Sequence, residues 1–163
     1  EYYGRPGQGN DTETDQKIAT MLSFKNDKDS ELGMPLPKGR VRVNKADRSG
    51  SLQFVGEDWI DHTPEDEEIE LYVGDAFDLV GEKKRVTYRR TDDFIEETYE
   101  VKLRNHKKTA ETIHYVDHLF GDWKISQSTA KYVKDDAHTI RMPVKVDPKG
   151  EQTIVYTVKI NRK

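Results

Sequence analysis

Apolar and polar residues alternate with a period of two in short runs along most of this chain. That spacing places all the apolar side chains of a run on one face of a β-strand. The clearest runs have their apolar residues at Tyr99, Val101 and Leu103, at Ile140, Met142, Val144 and Val146, and at Ile154, Tyr156, Val158 and Ile160. No segment keeps the spacing of an amphipathic helix. The pattern predicts an all-β fold, a sandwich or a barrel, and we favour an immunoglobulin-like or related antiparallel β-sandwich.

Residues that favour tight turns separate these runs. Asp47-Arg48-Ser49-Gly50 has the composition of a hairpin turn. In 147–150 (DPKG), the proline presets φ and the glycine accommodates a positive φ. A third turn is expected at 105–108 (NHKK). Tight turns of this kind join antiparallel neighbours.

Length and composition limit the classes to which the chain can belong. Its 163 residues are the size of one ordinary domain. Charged residues (36%) outnumber hydrophobic ones (33%), which favours strands with one face in water. The net charge of -4 argues against a general nucleic-acid binder, which needs a basic surplus. No apolar run approaches the ~20 residues of a membrane-spanning helix, and the absence of cysteine excludes disulfides and thiolate metal sites.

The first residues differ in composition from the rest. Residues 1–15 contain three Gly and one Pro but no aliphatic residue, so we expect a flexible leader. Residues 16–163 are expected to form a single β-sandwich domain, with any subdivision near residues 81–84. No signal peptide is recognisable, since Glu1 begins a polar, acidic stretch. The start without Met and the opening rich in Gly and Pro suggest a fragment of a longer protein.

Several stretches match the motifs of a known family in order. They are LGMPLPKGRVRV (32–43), LQFVGEDWIDHTPEDEEIEL (52–71), GDAFDLVGEKK (74–84), YEVKLRNHK (99–107), GDW (121–123) and EQTIVYTVKI (151–160). Over residues 17–163 the chain resembles the C-terminal β domain of bacterial proteins assigned to domain of unknown function 4139, some of them labelled mucoidy-inhibitor-like. The resemblance implies a β domain at the end of a longer, usually exported protein, in the periplasm or outside the cell. It implies no activity.

The segment from Glu57 to Glu70 is the most unusual local feature, since eight of its fourteen residues are carboxylates and none is basic. Calcium takes roughly six to eight oxygen ligands, which clustered loop carboxylates could supply. However, the spacing lacks the pattern of a calcium-binding loop, and 63–66 (TPED) has the composition of an ordinary turn. The sequence favours a solvated turn and predicts no metal site, and it leaves calcium binding by this segment open.

Residues 83–90 (KKRVTYRR) form a basic run that contains an aromatic residue, a combination that superficially suits nucleic acid. On a strand, Lys83, Arg85 and Arg89 would lie on one face, while Val86 and Tyr88 lie on the other. We therefore favour an amphipathic strand with a charged outer face, whose charges could pair with the acidic segment. No nucleic-acid partner is predicted.

His114 and His118 have the spacing that places two zinc ligands on one turn of a helix. The neighbouring Ile113, Tyr115 and Val116 favour a strand instead, on which the two imidazoles would lie ~13 Å apart. The resembling family shows apolar residues or Pro at these positions. We expect no zinc site here.

Asp61 and His62 could serve as an orienting carboxylate and a general base. No nucleophile elbow accompanies them, because Gly56-Glu57-Asp58 is not G-x-S-x-G. Fixing the turn at Pro64 is the favoured role for either residue. The chain is predicted not to be an enzyme and to need no cofactor, and a hydrolase-like enzyme ranks third among the functions.

Trp59 and Trp123 are the aromatic residues that we consider first for a role in binding, as opposed to packing in the core. Trp59 follows Gly56-Glu57-Asp58 and Trp123 follows Gly121-Asp122, so both are expected near strand starts. An exposed tryptophan could stack on a sugar ring, whereas a buried one would cover the end of the sandwich. Burial is the favoured interpretation for both.

We expect a non-catalytic interaction or structural module of a longer bacterial envelope protein, with a protein or a cell-envelope glycan as its partner. The alternative is a carbohydrate-binding module that uses an exposed tryptophan with nearby carboxylates. The candidate binding residues are Trp59, Trp123, Glu57, Asp58, Asp61 and His62.

Overall fold

The chain is all-β in a computed structural model that describes residues 2–4 and 13–162, and none of these residues lies in a helix. The predicted fold class is therefore confirmed. The strands are β1 (Tyr2–Gly4), β2 (Glu13–Gln16), β3 (Ile18–Lys25), β4 (Gly39–Ala46), β5 (Leu52–Ile60), β6 (Glu68–Asp75), β7 (Leu79–Arg90), β8 (Phe94–Asn105), β9 (Glu111–His118), β10 (Asp122–Ser128), β11 (Val133–Lys134), β12 (Thr139–Val146) and β13 (Glu151–Asn161). Within the described ranges, no helix is long and apolar enough to cross a membrane.

The described residues divide into two compact units. The first contains Ala19–Asp75, and the second combines Tyr2–Ile18 with Ala76–Lys163. The sequence led us to expect one domain over 16–163, with any subdivision near 81–84. The boundary lies earlier, because β7 runs unbroken through residues 81–84 and pairs with β8 along this stretch.

The first unit contains two antiparallel strand pairs, β3 with β6 and β4 with β5. The predicted hairpin turn joins β4 to β5, where Gly50 has a φ of +84° and Asp47 Oδ1 accepts the backbone N–H groups of Ser49 and Ser51. Gly56 of β5 is buried against the backbone of β6, and a Cβ added there would lie 2.2 Å from the Val73 carbonyl oxygen. Glycine is therefore required for this close approach.

A buried asparagine fixes the loops of the first unit. The Asn26 side chain donates to the carbonyl oxygens of Met34 and Pro64, both at 2.8 Å, and accepts the Gly33 N–H at 3.2 Å. Because Asn26 is fully buried, these bonds satisfy a side chain that would otherwise destabilise the fold. They tie the loop after β3 to the segment that precedes β6.

The second unit contains two sheets with a shared hydrophobic core, as in a β-sandwich. The strand order is β11-β12-β9-β1 in one sheet and β10-β13-β8-β7-β2 in the other. The alternating runs supply the buried residues as predicted, namely Val101, Leu103, Ile140, Met142, Val144, Val146, Ile154, Tyr156 and Val158. Ile160 is partly buried against this core.

Part of the predicted flexible leader forms strands in the second unit. Tyr2–Gly4 pairs in parallel with β9, and Glu13–Gln16 pairs antiparallel with residues 81–84 of β7. The prediction was wrong for these residues because a β-ladder is held by backbone hydrogen bonds, which need no aliphatic side chain. Residues 5–12 of the leader lie outside the described residues.

The chain leaves and re-enters the second unit at one point. The Ala76 N–H donates to the Ile18 carbonyl oxygen at 2.7 Å. Ala19 and Asp75, the next residues on each side, are opposite each other in the β3–β6 ladder. The first unit is therefore an insertion whose two ends are adjacent.

Candidate functional site

The outer face of the β4–β5 hairpin carries exposed aromatic and charged side chains. Arg40 lies opposite Trp59 in the ladder, and Arg42 lies opposite Glu57. Residues that are directly opposite in an antiparallel pair share a face, and so do residues two apart on one strand. All four side chains therefore project from the same face, and Trp59 is 63% exposed. We call these four residues the hairpin face.

The hairpin face is held together by ion pairs and a cation–π contact. Glu57 accepts from Arg40 Nη1 through one carboxylate oxygen and from Arg42 Nε through the other, both at 3.3 Å. The Arg40 guanidinium carbon also lies 5.2 Å from the centroid of the Trp59 ring. Exposed ion pairs stabilise a fold by only ~0.2–1 kcal/mol each. Their main effect here is to restrict the orientations of Arg40 and Trp59.

Asp58 points away from the hairpin face and has a structural role. Its Oδ2 accepts the Tyr72 N–H of β6 at 2.7 Å, and its Oδ1 accepts the Trp59 N–H at 2.8 Å. The carboxylate thus bridges β5 and β6 and fixes the backbone that presents Trp59. Both oxygens are engaged inside the first unit.

The carboxylates of the acidic segment are dispersed among different partners. Glu57 pairs with arginines, Asp61 with Lys38 at 3.0 Å, and Asp66 with Lys25 at 3.1 Å, while Glu68 accepts from the Ser23 hydroxyl at 2.6 Å. Within residues 2–4 and 13–162, no group of three or more His, Cys, Asp or Glu side chains is arranged to hold a metal ion. The segment does not form a cage of convergent oxygens.

Asp61 and His62 do not form the acid–base pair considered from the sequence. The Asp61 carboxylate pairs with the Lys38 ammonium, and His62 Nδ1 accepts the Lys38 backbone N–H at 3.3 Å. His62 also lines an open groove whose other residues are Pro35, Leu36, Pro37, Thr63 and Pro64. Both residues therefore fix the segment before β4 against the segment after β5.

The two tryptophans lie in different units and have opposite environments. Trp123 is only 7% exposed, its Nε1 donates to the Ala137 carbonyl oxygen at 2.9 Å, and the Lys134 ammonium lies 4.1 Å from its ring centroid. It packs in the core of the second unit, as the favoured interpretation predicted. The same interpretation was wrong for Trp59, because its side chain projects from the solvent-facing side of the hairpin.

The two histidines suggested as zinc ligands lie on a strand, as expected. His114 and His118 belong to β9, where they lie opposite Pro143 and Thr139 of β12. His118 Nδ1 is 3.1 Å from the Thr139 hydroxyl. The two imidazoles are thus four residues apart along an extended backbone.

A buried polar network in the second unit was not identified from the sequence. The Lys83 ammonium donates to Asp117 Oδ1 at 2.8 Å, and the Tyr156 hydroxyl donates to Asp117 Oδ2 at 2.5 Å. The hydroxyls of Tyr115 and Tyr156 lie 2.8 Å apart, and the Tyr99 and Tyr156 rings stack with centroids 5.5 Å apart. The network connects strands of both sheets in the second unit.

This network corrects the predicted orientation of the basic strand. Lys83 was expected on the charged outer face, but its side chain is 17% exposed and pairs with Asp117, which is 5% exposed. Val86 and Tyr88 were expected on the opposite face, but both are about half exposed. The reasons are the attraction of the buried Asp117 carboxylate for Lys83 and a bulge at Val86 that shifts the register with β8.

The tyrosine hydroxyls of the network stay protonated at neutral pH. Burial raises the pKa of Tyr115 and Tyr156 well above the ordinary value, and the Asp117 carboxylate raises both further. Burial also raises the pKa of Tyr99, with a further contribution from its hydrogen bond to Glu97. These groups can donate hydrogen bonds to Asp117 and Glu97, and the enclosed geometry suits them for stabilising the sandwich.

Comparisons with protein-family models, curated proteins and solved structures found no significant match for this chain. The resemblance described from the sequence motifs therefore stays a prediction. The geometry instead singles out the hairpin face, because it gathers an exposed tryptophan and two arginines on one rigid strand pair.

Proposed function

We propose that this chain is a non-catalytic interaction module of a longer bacterial envelope protein, and that it binds a protein partner through the hairpin face. The observation that carries the proposal is the 63% exposure of Trp59 beside Arg40 and Arg42. Tryptophan and arginine are enriched among the residues that dominate binding energy in protein interfaces. A location in the periplasm or outside the cell is part of the proposal and follows from the family resemblance.

The restricted side chains support this assignment. Glu57 holds both arginines, and Arg40 lies over the Trp59 ring. A side chain that is already ordered loses less conformational entropy when it enters an interface. Two further exposed residues of β5, Leu52 and Phe54, extend the apolar surface toward the hairpin turn.

Capture from envelope extract with matched variants tests the proposal. The wild-type chain, Trp59→Ala and Phe77→Ala serve as baits, since Phe77 is a highly exposed aromatic residue of the other unit. We expect a protein retained by the wild type and by Phe77→Ala to be lost with Trp59→Ala. The purified partner should then bind Trp59→Ala roughly 30-fold more weakly, as for a central interface residue. Equal binding by all three chains would exclude the hairpin face.

The exposure of Trp59 also favours a second candidate, a carbohydrate-binding module. A flat indole beside the Glu57 carboxylate and two guanidinium groups offers a stacking surface with hydrogen-bonding groups at its edge. Trp123 is excluded from this role by its burial. Only one tryptophan therefore supports the carbohydrate hypothesis.

A fluorescence titration separates the two candidates. In the Trp123→Phe variant, Trp59 is the sole tryptophan, so its emission reports directly on the hairpin face. Titration with peptidoglycan fragments and with a panel of bacterial polysaccharides should leave this emission unchanged if the partner is a protein. A saturable change that Glu57→Gln weakens would instead support the carbohydrate-binding module.

A further inference from the structure

An open cleft lies beside the second half of β10, which is at the end of the five-stranded sheet opposite to β2. Its volume of about 450 Å³ is within the range of roughly 300–1,000 Å³ that ligand pockets occupy. The cleft is lined by Ile125, Ser126, Gln127, Ser128, Ala130, Lys131 and Tyr132. All of these residues belong to β10 or to the segment that follows it, so the cleft is formed by the second unit alone.

A β-bulge shapes one wall of the cleft. Ile125 lies opposite Val158 and Gln127 lies opposite Thr157, so Ser126 is the extra residue of the bulged strand. On a regular strand, successive side chains point to opposite faces. A bulge increases the local twist and redirects a side chain. The bulge therefore allows three consecutive residues, from Ile125 to Gln127, to line the same cleft.

The other wall is a tight turn that is fixed by its own hydrogen bonds. Ser128 Oγ donates to the Ala130 carbonyl oxygen at 2.7 Å and accepts the Ala130 N–H at 3.2 Å. The Thr129 N–H donates to the Val155 carbonyl oxygen, and the Thr129 hydroxyl accepts the Val155 N–H, both at 2.9 Å. The turn is thus anchored to β13. A cleft whose walls are already ordered loses less conformational entropy when a ligand binds.

The lining combines apolar, aromatic and hydrogen-bonding groups. Ile125 and Ala130 are partly buried and pack against the core of the second unit, so they form the base of the cleft. Tyr132 is 39% exposed and contributes a ring and a hydroxyl, while the exposed Gln127 and Lys131 contribute an amide and an ammonium group. A sugar ring is complementary to such a surface, because its C–H groups stack on an aromatic face and its hydroxyls bond to polar groups at the rim.

The charges at the cleft are positive. Lys131 is the charged residue among the described residues that line it. Lys124, earlier on β10, lies opposite Lys159 of β13. Because Lys159 and Thr157 are two residues apart on one strand, Lys124 and Gln127, which lie opposite them, point to the same face of the sheet. A second ammonium group is therefore next to the cleft.

The pairing of Lys124 with Lys159 favours a ligand that carries negative charge. Like charges directly opposite each other on paired strands are destabilising. Glu96 lies opposite Lys159 on the other side and offsets part of this repulsion, but it is two strands away from Lys124. An anionic ligand in the cleft would reduce the repulsion that remains, whereas a cationic one would increase it.

From the cavity, its lining and these charges, we propose that the cleft beside β10 binds an acidic saccharide. The sugar ring stacks on Tyr132, its hydroxyls bond to the Gln127 amide, and its carboxylate pairs with the Lys131 ammonium. Lys124 adds to the attraction for the negative charge. The site lies in the second unit and is independent of the hairpin face.

Isothermal titration calorimetry of the full chain tests the proposal. The probes are a panel of oligosaccharides that contain galacturonic, glucuronic, mannuronic or sialic acid, each with its methyl ester as a control. The ester keeps every ring and hydroxyl but removes the charge. We expect at least one acidic saccharide to bind, and its methyl ester to bind at least tenfold more weakly, since the charge-assisted hydrogen bond is lost.

Variants of the protein locate the site. Tyr132→Ala and Lys131→Gln should each weaken binding of that saccharide at least tenfold, whereas Tyr88→Ala and Lys108→Gln, the same changes at exposed positions elsewhere in the second unit, should not. Circular dichroism and the melting temperature confirm that each variant folds. Amide resonances of residues 125–132 should shift when the saccharide binds to isotope-labelled protein.

Several outcomes would overturn the proposal. If no saccharide of the panel binds, or if the methyl ester binds equally well, the cleft is not a site for acidic sugars. Unchanged binding by Lys131→Gln and Tyr132→Ala would exclude the cleft, and loss of binding with Trp59→Ala instead would assign the saccharide to the hairpin face. Equally tight binding of a glutamate tetrapeptide that displaces the saccharide would assign the cleft to acidic peptides.

Discussion

The hydroxyls of Tyr115 and Tyr156 meet at 2.8 Å between the two sheets of the second unit. Tyr156 in turn donates to Asp117, which also binds Lys83. Two phenols, a carboxylate and an ammonium group thus satisfy one another in the interior of the second unit. Because each group needs the others, the network fixes how β9, β13 and β7 are aligned.

Removing one hydroxyl tests the strength of this network. Tyr156→Phe leaves the Tyr115 hydroxyl and one Asp117 oxygen without their partner, so we expect the free energy of unfolding to fall by about 1–3 kcal/mol. Urea denaturation followed by circular dichroism measures the change. Tyr132→Phe, at a more exposed tyrosine, should change it by less than ~0.5 kcal/mol. Equal effects of the two variants would contradict the role given to the network.

The same tyrosines predict a loss of stability at alkaline pH. Burial raises their pKa in the folded protein above the ordinary value of 10.0, so the folded state holds its protons while the unfolded state releases them. The stabilisation is complete below about pH 10 and declines as the pH rises above that value. Melting temperatures measured from neutral to strongly alkaline pH should fall above pH 10. Tyr115→Phe/Tyr156→Phe should show a shallower fall, and an identical slope would contradict this assignment.

A methyl group added at Gly56 should disrupt the first unit. The new Cβ would lie 2.2 Å from the Val73 carbonyl oxygen, so the backbones of β5 and β6 would have to move apart. We expect Gly56→Ala to lower the free energy of unfolding of this unit by about 3 kcal/mol, the upper end for overpacking. In the Trp123→Phe background, tryptophan emission during urea denaturation comes from Trp59 alone and reports on this unit. Gly39→Ala is the matched control, because the nearest atom to its added Cβ is 3.9 Å away.

The two tryptophans should differ in their accessibility to a neutral quencher. Acrylamide should quench the Trp123→Phe variant, which retains Trp59, several-fold more strongly than the Trp59→Phe variant, which retains the buried Trp123. Steady-state fluorescence with a Stern–Volmer analysis gives the quenching constant of each variant. Similar constants would mean that Trp59 is covered in solution, and the hairpin face would lose its exposed aromatic residue.

Calcium should have no specific effect on stability. The carboxylates of Glu57, Asp58, Asp61 and Asp66 are engaged by separate arginine, backbone and lysine partners. Melting curves in calcium, magnesium and sodium chloride at equal ionic strength are therefore expected to coincide, because all three salts screen the surface charges alike. A rise of several degrees with calcium alone would reveal a site through its binding to the folded state.

The sequence predicted the strands of the second unit well, because their apolar residues alternate and this pattern depends only on local order. Lys83 could not be predicted to point inward, since its partner Asp117 is distant along the chain and pairs with it only after the sheets have packed. In the turn at 147–150, the positive φ of 56° lies at Lys149 and not at Gly150, where it was expected. The exposure of Trp59 likewise follows from the register of the hairpin, which local composition does not determine.

The adjacency of Ala19 and Asp75 has a consequence for how this protein folds. Strands β2 and β7 must find each other across a long intervening stretch, and the entropy lost on closing a loop rises with its length. If the inserted segment folds first, its two ends are already neighbours. The loop that must close when β2 pairs with β7 is then only a few residues long. The Ile18–Ala76 hydrogen bond then closes a short loop, because the residues between them are already folded. In that order of events, folding of the inserted unit would lower the entropy lost when β2 pairs with β7.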